Sequence, residues 1–382
     1  MALAETLTHP ITPVADPETG GTLTVDLAAV ESNWRALARH LITVECAAVV
    51  KANAYGLGLE PVTAKLAAAG CKTFFVANIA EARRARASAK EAAIYVLNGF
   101  SPEGATAFPE LDARPVINSM TELAEWDAFV AAKNWRGGAA LHVDTGMNRL
   151  GISVAEAAAL APRVQTSSHG ITLLMSHLAC AEMVGHALNA GQIKQFREVR
   201  SLYQGIPASL ANSAGIFLGD AALFDMARPG AALYGINPAP NRPNPMHGVL
   251  ELTGRILQVR EVSRGEAVGY GAAWTARRDS RIAVAALGYA DGLLRAASGT
   301  DGARGGAAMI AGKLCPFAGR ISMDLVCIDI TELAEGVVQR GDVATFIGEG
   351  LGVDDVAAAA GTIGYEILTR LGPRCRLIYR GG

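Results

Sequence analysis

Several side chains that could do chemistry stand at or near the ends of short apolar runs in this sequence. They are a lysine, two arginines, a histidine and a serine: Lys51, Arg149, Arg228, His177 and Ser213. Lys51 directly follows the run CAAVV at 46–50. A lysine withdrawn from water at a strand end has a pKa below its usual value of about 10.4 and becomes a nucleophile that can bond to carbonyl groups. The cations around it predict an anion-binding site that accepts an electrophile.

Taken alone, Lys51 could instead be a lysine whose side chain runs along the surface to reach water. Both interpretations stay open on this run alone. Between residues 45 and 235, short apolar runs alternate with Ala-rich amphipathic segments. The eight runs are CAAVV (46–50), FFVAN (74–78), AIYVLNG (93–99), RPVINS (114–119), AALHVD (139–144), GITLLMSHL (170–178), PASLANS (207–213) and MARPGAALYG (226–235). Strands that alternate with helices predict a parallel sheet covered on both faces, and eight such units predict a TIM-type (β/α)8 barrel. Polar residues at the carboxyl ends of barrel strands point into the active site.

Helical patterns fill the spaces between the runs. The sequence predicts helices over 28–41 and 59–70, and Gly70 is typical of a helix end. A third helix is predicted over 190–205. Its apolar stripe is formed by Ile193, Phe196, Val199 and Leu202.

The pattern changes after about residue 245, where strand-like segments follow one another with Gly-rich turns. These segments are 248–262, 281–292, 307–330, 341–348 and 374–380, with a helical stretch near 353–371. The fold class is therefore α/β, with a barrel at 22–245 that carries Lys51 and a mainly β domain at 246–382. The strand-like segment at 22–27 could join either domain, and residues 1–21 could be recruited by the second.

Composition excludes several classes of protein. Hydrophobic residues make up 51% and charged residues 18% of the chain, which excludes global disorder. The 34 basic and 36 acidic residues leave no basic footprint, so we expect no nucleic-acid partner. No apolar stretch has the length of a membrane span, and the first 20 residues lack the basic and apolar regions of an export signal. The six cysteines form no CxxC pair, which predicts reduced thiols in a cytoplasmic protein and no metal site.

The segment VVKANAYGLG at 49–58 resembles the signature of alanine racemases, in which this lysine carries pyridoxal phosphate. The shorter KAN is shared with related barrel decarboxylases and with small single-domain pyridoxal phosphate proteins, whereas KANAYG is more specific. Further blocks of the same family follow in the family's order over nearly the whole chain. They are VDTGMNRLG (143–151), SHL (176–178), ANS (211–213), RPGAALYG (228–235), GYGA (269–272), GYADG (288–292), GRISMD (319–324) and YEIL (365–368).

The resemblance implies two acid–base groups, Lys51 and Tyr270. Racemisation removes a proton from one face of the α-carbon and returns a proton on the other, which suits two bases on opposite sides of the cofactor. A tyrosine titrates near 10, so nearby positive charge must lower the pKa of Tyr270.

The resemblance also implies the residues that hold the cofactor. Arg228 would face the pyridine nitrogen and, because an arginine stays protonated, would weaken the ring as an electron sink and discourage transamination. His177 would pack against the ring. The phosphate would be bound by three hydroxyls and two backbone N–H groups, those of Tyr55, Ser213, Tyr365, Gly230 and Ala231.

The substrate carboxylate would meet Arg149 and Met323, while Tyr289 and Asp324 would line a narrow entrance that favours small side chains such as that of alanine. In the family, the residues at Tyr270 and Met323 come from the neighbouring subunit. The resemblance therefore implies a head-to-tail homodimer with shared active sites.

The sequence departs from the family pattern at His142. Many members have a lysine there, modified to a carbamate that braces the arginine at Arg149, and a histidine cannot carry that group. We expect a small anion such as chloride, or another protein group, to brace Arg149. Alternatively, His142 points into the barrel core and does not approach Arg149.

These observations predict a pyridoxal-phosphate-dependent enzyme that interconverts L-alanine and D-alanine, either supplying D-alanine for peptidoglycan or degrading it. A fold-related amino-acid decarboxylase would be expected to show a Gly-rich phosphate loop and a C-terminal catalytic cysteine, which the sequence lacks. A small pyridoxal phosphate carrier would lack the second domain. A broad-specificity amino-acid racemase is the closest alternative. Such racemases resemble periplasmic proteins with export signals, and we expect no such signal here.

Overall fold

The computed structural model describes residues 18–135, 137–166 and 170–382. Its strands are β1 (Gly21–Asp26), β2 (Glu45–Cys46), β3 (Ala48–Val49), β4 (Thr73–Val76), β5 (Ala93–Val96), β6 (Ala113–Ile117), β7 (Ala139–Asp144), β8 (Ile152–Ser153), β9 (Ile171–Met175), β10 (Ala208–Ser209), β11 (Met226–Ala227), β12 (Leu250–Val262), β13 (Ala267–Val268), β14 (Trp274–Thr275), β15 (Ser280–Ala285), β16 (Ala307–Ile310), β17 (Lys313–Pro316), β18 (Val326–Asp329), β19 (Val343–Ile347) and β20 (Arg376–Arg380). Its helices are α1 (Leu27–Leu41), α2 (Lys51–Tyr55), α3 (Leu59–Ala68), α4 (Ile79–Ser88), α5 (Ala107–Leu111), α6 (Met120–Lys133), α7 (Val154–Thr166), α8 (Ala187–Leu202), α9 (Val353–Ala359) and α10 (Gly364–Arg370).

Nine parallel segments form a nearly closed barrel in the order β3, β4, β5, β6, β7, β9, β10, β11, β2. The first and last of these flank Ala47, so one stretch of chain pairs with β4 on one side and β11 on the other. The N–H of Ala47 donates to the carbonyl of Ala227, which continues the ladder across the interruption. The α/β class and the predicted barrel are confirmed. Its strands overlap the eight apolar runs, and β2, β4 and β6 each begin one residue before the run.

Helices cover the barrel because one face of each is apolar. In α1 the side chain of Asp26 accepts the N–H of Ala29 as an N-cap, and Val30 and Leu37 are buried. Helix α3 ends before Gly70, whose φ of +106° makes it the expected stop.

Helix α8 begins three residues earlier than predicted, and its buried face differs from the predicted stripe. Phe196 and Val199 are buried, but Leu202 is exposed and Gln192 is buried. A buried glutamine is tolerated here because its amide is hydrogen-bonded to the backbone of His177 and Ala179.

The chain divides into two compact units, one of residues 26–249 with 380–382, and one of the described residues up to Val25 with 250–379. In the second unit the 13-residue strand β12 pairs antiparallel with β1, β15 and β19. The sequence analysis began the barrel at residue 22. In the structure, residues 22–25 instead belong to the second sheet, because they pair with residues 250–253. Residues 1–17 lie outside the described residues, so their recruitment by this domain stays a prediction.

None of the helices in the described part of the chain has the length and apolar character that crossing a bilayer requires.

Substitution in β12 tests how the second sheet is stabilised. Leu252 is fully buried between β1 and β19, whereas Leu257 in the same strand is 37% exposed. Leu252→Ala should lower the free energy of unfolding by about 2–5 kcal/mol, because it leaves a cavity in the core. Leu257→Ala should cost well under half as much, as measured by urea unfolding. Equal losses for the two variants would contradict this description of the core.

Candidate active site

Lys51 begins an unusual turn directly after the first barrel strand. Ala52, Asn53, Ala54 and Tyr55 all have φ between +53° and +56°, the left-handed region. Each such L-residue costs about 1–2 kcal/mol, so the surroundings must hold the turn in place.

Side chains from neighbouring helices supply that support. The N–H of Asn53 donates to Glu81 Oε1 at 3.2 Å, and Glu81 Oε2 accepts the N–H of Ala77 at 2.8 Å. Asn53 Oδ1 accepts the N–H of Leu59 at 3.1 Å and Nη2 of Arg84 at 2.6 Å. The turn therefore fixes the positions of Lys51 at its start and Tyr55 at its end.

The environment of Lys51 favours the uncharged amine. Its side chain is largely buried, and burial lowers the pKa of the amine below its ordinary value. The positive charges of Arg149 and Arg228 lower this pKa further, while Glu81 opposes them. A lysine whose pKa is lowered at a strand end is the kind of nucleophile that the sequence predicts.

An anion cradle lies at the end of the last barrel strand. Ser213 Oγ accepts the N–H groups of Gly230 at 3.0 Å and Ala232 at 3.1 Å. A Cβ atom on Gly230 would lie 2.4 Å from the hydroxyl oxygen of Tyr55, so only glycine allows this approach. Ala231 begins a 3-10 turn, and its N–H therefore has no partner within that turn. Hydroxyls beside such backbone N–H groups suit a phosphate.

Arg228 is a fixed cation inside the barrel. Only 4% of the residue is exposed, and burial lowers the pKa of its guanidinium to about 10, which still leaves it charged at neutral pH. Its Nη1 donates to the carbonyl and hydroxyl oxygens of Ser209 at 2.9 and 2.6 Å, and Nη2 donates to the carbonyl of Ser176 at 2.6 Å. The guanidinium carbon lies 5.7 Å from the centre of the Phe75 ring.

His177 is held by the buried glutamine of α8. Nε2 of Gln192 donates to the His177 carbonyl at 2.9 Å, and Gln192 Oε1 accepts the N–H of Ala179 at 2.9 Å. Burial, and then the charges of Arg228 and Arg149, keep the pKa of His177 well below its usual range. The sequence offered no signal for Gln192, because a glutamine on a helix does not reveal that it faces the site.

The loop that carries Arg149 is preformed by Asp144. Its carboxylate accepts the N–H groups of Gly146, Met147 and Asn148 at 2.9, 2.9 and 3.0 Å. The loop leaves the side chain of Arg149 exposed. Sequence analysis missed Asp144, although an Asp two residues before a Gly is typical of such a loop.

His142 is 8% exposed and lies in β7, where Nδ1 is 2.8 Å from Oδ1 of Asn118. Burial, then the charge of Arg228, lowers the pKa of the imidazole to about 4; Asp144 opposes this, and Arg149 also lowers it. The neutral side chain of Asn118 is therefore the hydrogen-bond partner of His142, and the predicted brace for Arg149 stays a prediction. Sequence analysis missed Asn118.

The remaining predicted residues belong to the second unit. Tyr270 is 68% exposed on a 3-10 turn after β13, and Met323 is 53% exposed. Tyr365 is half-buried in α10, where its carbonyl accepts the hydroxyl of Thr369. The encounter of these residues with the barrel residues stays a prediction.

The predicted entrance residues Tyr289 and Asp324 lie on two loops of this unit that are bonded together. The N–H of Tyr289 donates to the carbonyl of Ser322 at 3.0 Å. Arg374 joins the same two loops, because its guanidinium lies 2.7 Å from Asp324 and 3.3 Å from the buried Asp291. The relative positions of Tyr289 and Asp324 are therefore defined within the unit.

The barrel residues fit pyridoxal phosphate, since a largely buried lysine with a lowered pKa, an anion cradle and a buried cation occur together. In the described part of the chain, no group of three or more His, Cys, Asp and Glu side chains could hold a metal ion.

The low pKa of His142 makes stability depend on acidity. Between about pH 6.5 and the folded value of about 4, the unfolded chain binds a proton that the folded chain does not, so stability is lost as the pH falls through this range. The difference corresponds to about 3 kcal/mol. His142→Gln should reduce the loss of unfolding free energy between about pH 7 and about pH 4.5 by a large part of that amount. The exposed His247→Gln is the control, and an equal reduction there would contradict the assignment.

Comparison with known proteins matches both parts of the chain to one family. The family model for the alanine racemase N-terminal domain matches residues 25–238, and the model for the C-terminal domain matches residues 249–379. An alanine racemase from Methylobacterium nodulans is 52% identical over 355 residues, which are 93% of this chain and 95% of that protein. A catabolic alanine racemase from Mesorhizobium japonicum is 44% identical over 375 residues, 97% of this chain and 96% of that protein.

A solved structure agrees with these matches. The crystal structure of alanine racemase from Bartonella henselae with covalently bound pyridoxal phosphate has a TM-score of 0.89 and 37% identity to this chain. The match covers 95% of this chain and 100% of the Bartonella henselae chain. Over both of its domains, the chain therefore belongs to the alanine racemase family.

Proposed function

We propose that this chain is a pyridoxal-phosphate-dependent racemase that interconverts L-alanine and D-alanine, with Lys51 and Tyr270 as its two acid–base groups. The observation that carries the proposal is the position of Lys51, largely buried, directly after the first barrel strand. Membership of the family and the cofactor bound in the Bartonella henselae relative support it.

When bound, pyridoxal phosphate draws electrons from the substrate α-carbon and so acidifies its hydrogen. Lys51 would hold the cofactor through Nζ until the substrate amine takes its place there. The Lys51 amine released in that exchange, whose pKa burial lowers, would then take or return a proton on one face of the α-carbon. Tyr270 Oη would do the same on the opposite face.

Different residues would bind the phosphate and the ring of the cofactor. The phosphate would be held by the hydroxyls of Tyr55, Ser213 and Tyr365 and by the N–H groups of Gly230 and Ala231. Arg228 would face the pyridine nitrogen as a fixed cation, and His177 would pack on the ring.

The substrate would be oriented by its carboxylate, which Arg149 and Met323 would bind. Tyr289 and Asp324 would narrow the entrance, so that a methyl side chain passes more readily than a larger one. This would favour alanine over the substrates of a broad-specificity racemase.

We also propose a head-to-tail homodimer in the cytoplasm, in which Tyr270 and Met323 serve the neighbouring subunit. The high exposure of both side chains supports a role at an interface. The cysteines of the chain are free thiols, which supports a reducing compartment. The reaction would serve either the supply of D-alanine for peptidoglycan or the breakdown of D-alanine.

Lys51 is tested by trapping the cofactor. Treatment of the purified yellow protein with borohydride should attach the cofactor irreversibly to Lys51, as peptide mapping by mass spectrometry would show. Lys51→Ala should abolish both the attachment and racemisation. Lys65→Ala is the control, because Lys65 is paired with Glu31 on the barrel exterior and should have no part in the reaction. Attachment to any lysine other than Lys51 would refute the assignment.

Tyr270 is tested through hydrogen exchange. Tyr270→Phe should retain the bound cofactor but slow racemisation by about a hundredfold to ten-thousandfold. The two enantiomers have equal free energies, so kcat/KM must fall equally in both directions. The asymmetry should therefore appear in exchange of the α-hydrogen with solvent, which should be slowed far more for one enantiomer than for the other.

Tyr379→Phe, in the last strand of the second unit, controls for loss of a phenol hydroxyl and should exchange both enantiomers at the wild-type rate. Undiminished racemisation by Tyr270→Phe would remove Tyr270 from the mechanism.

A further inference from the structure

Asn118 follows β6 and holds its side-chain amide in one orientation. One amide atom lies 3.2 Å from the carbonyl oxygen of Leu97 and 2.8 Å from that of Val116. Carbonyl oxygens only accept hydrogen bonds, so this atom must be the NH2 nitrogen. The amide oxygen of Asn118 is therefore the atom that faces His142.

That orientation determines the tautomer of His142. Its Nδ1 lies 2.8 Å from Asn118 Oδ1, an atom that can only accept. Nδ1 must therefore carry the hydrogen, and in the neutral ring Nε2 is left with a lone pair. The charged groups around the ring are Arg228, Arg149 and Asp144, and the buried imidazole has its pKa lowered to about 4.

Asn118 also anchors the loop that carries Arg149. Its backbone carbonyl accepts the N–H of Gly151 at 3.0 Å. Gly151 has a φ of +114°, and a Cβ atom there would lie 2.7 Å from the backbone nitrogen of Asp144, so the loop closes tightly on its own strand. One residue thus contacts both His142 and the end of the loop.

We propose that Asn118 is a positioning residue that fixes His142 as the neutral Nδ1–H tautomer, so that the ring keeps a lone pair on Nε2 and adds no positive charge near Arg149 and Arg228. This inference rests on the proposed function in one respect, since it is in racemisation that Arg149 binds the substrate carboxylate.

A neutral acceptor suits this site better than an anion. Arg149 is one of the charges that lower the pKa of Lys51. An anion beside Arg149 would offset that charge and raise the Lys51 pKa again, whereas a neutral His142 leaves the charge in place. A protonated His142 would add a further positive charge and repel Arg149.

The tautomer is measured by nitrogen NMR of the holoenzyme labelled with 15N-histidine. The resonances of His142 are identified by their absence in His142→Gln, among the seven histidines of the chain. The proposal requires a protonated Nδ1 and an unprotonated Nε2 at neutral pH. A protonated Nε2, or a doubly protonated ring, would overturn it.

Variants of Asn118 separate positioning from folding. Asn118→Leu should release the tautomer toward Nε2–H and raise KM for alanine about tenfold, with a smaller change in kcat. Asn118→Asp keeps an acceptor for Nδ1–H but favours the imidazolium, so it should retain the tautomer at high pH and lose kcat/KM at a higher pH than the wild type. A merely structural role would not move that acid limb, and an unmoved limb would overturn the proposal.

Asn189→Leu is the matched control. Asn189 is as buried as Asn118, at 4% exposure, and its amide nitrogen also donates to two carbonyls, those of Cys180 and Met183. It should leave the His142 spectrum unchanged. Because the spectrum is recorded without substrate, an enzyme inactive on alanine would refute the proposed function while still deciding the tautomer.

Discussion

The rest of the barrel site depends on one buried amine, that of Lys51, and on the positive charges around it. Lys51 loses water on burial, and Arg149 and Arg228 add their repulsion, so the amine favours its uncharged form. Glu81 opposes this, but its carboxylate is engaged by the N–H groups of Asn53 and Ala77. Burial, and then the same positive charges, lowers the pKa of His142 and of His177, and a phosphate dianion placed in the cradle would offset those charges.

This arrangement requires a strained turn in the backbone. Four consecutive L-residues from Ala52 to Tyr55 adopt left-handed angles, a conformation that would unwind in isolation. Asn53 secures it through Glu81, Leu59 and Arg84, all from the two helices that follow. The turn brings the hydroxyl of Tyr55 against Gly230 from the opposite end of the barrel sequence. Lys51 and the anion cradle are thereby held by the same short segment.

Sequence reasoning succeeded where a local pattern carries the information. Apolar runs of the right length predicted the barrel strands, and Lys51 after CAAVV predicted a reactive amine. It failed for Gln192, Asp144 and Asn118, because each is an ordinary polar residue whose role depends on a partner brought close by folding. The pairing of residues 22–25 with β12 joins segments more than 200 residues apart, and no local pattern distinguishes that partner from a barrel strand.

The central claim is that two side chains remove and return a proton on opposite faces of a cofactor-bound substrate. Exchange of the α-hydrogen of alanine with solvent tests this claim most directly. In D2O the wild-type enzyme should convert either pure enantiomer to the same equal mixture, and the alanine of inverted configuration should carry deuterium at Cα. Chiral chromatography with mass spectrometry measures both. Inverted alanine that keeps its original hydrogen at Cα, or conversion of alanine to carbon dioxide and an amine, would contradict the account.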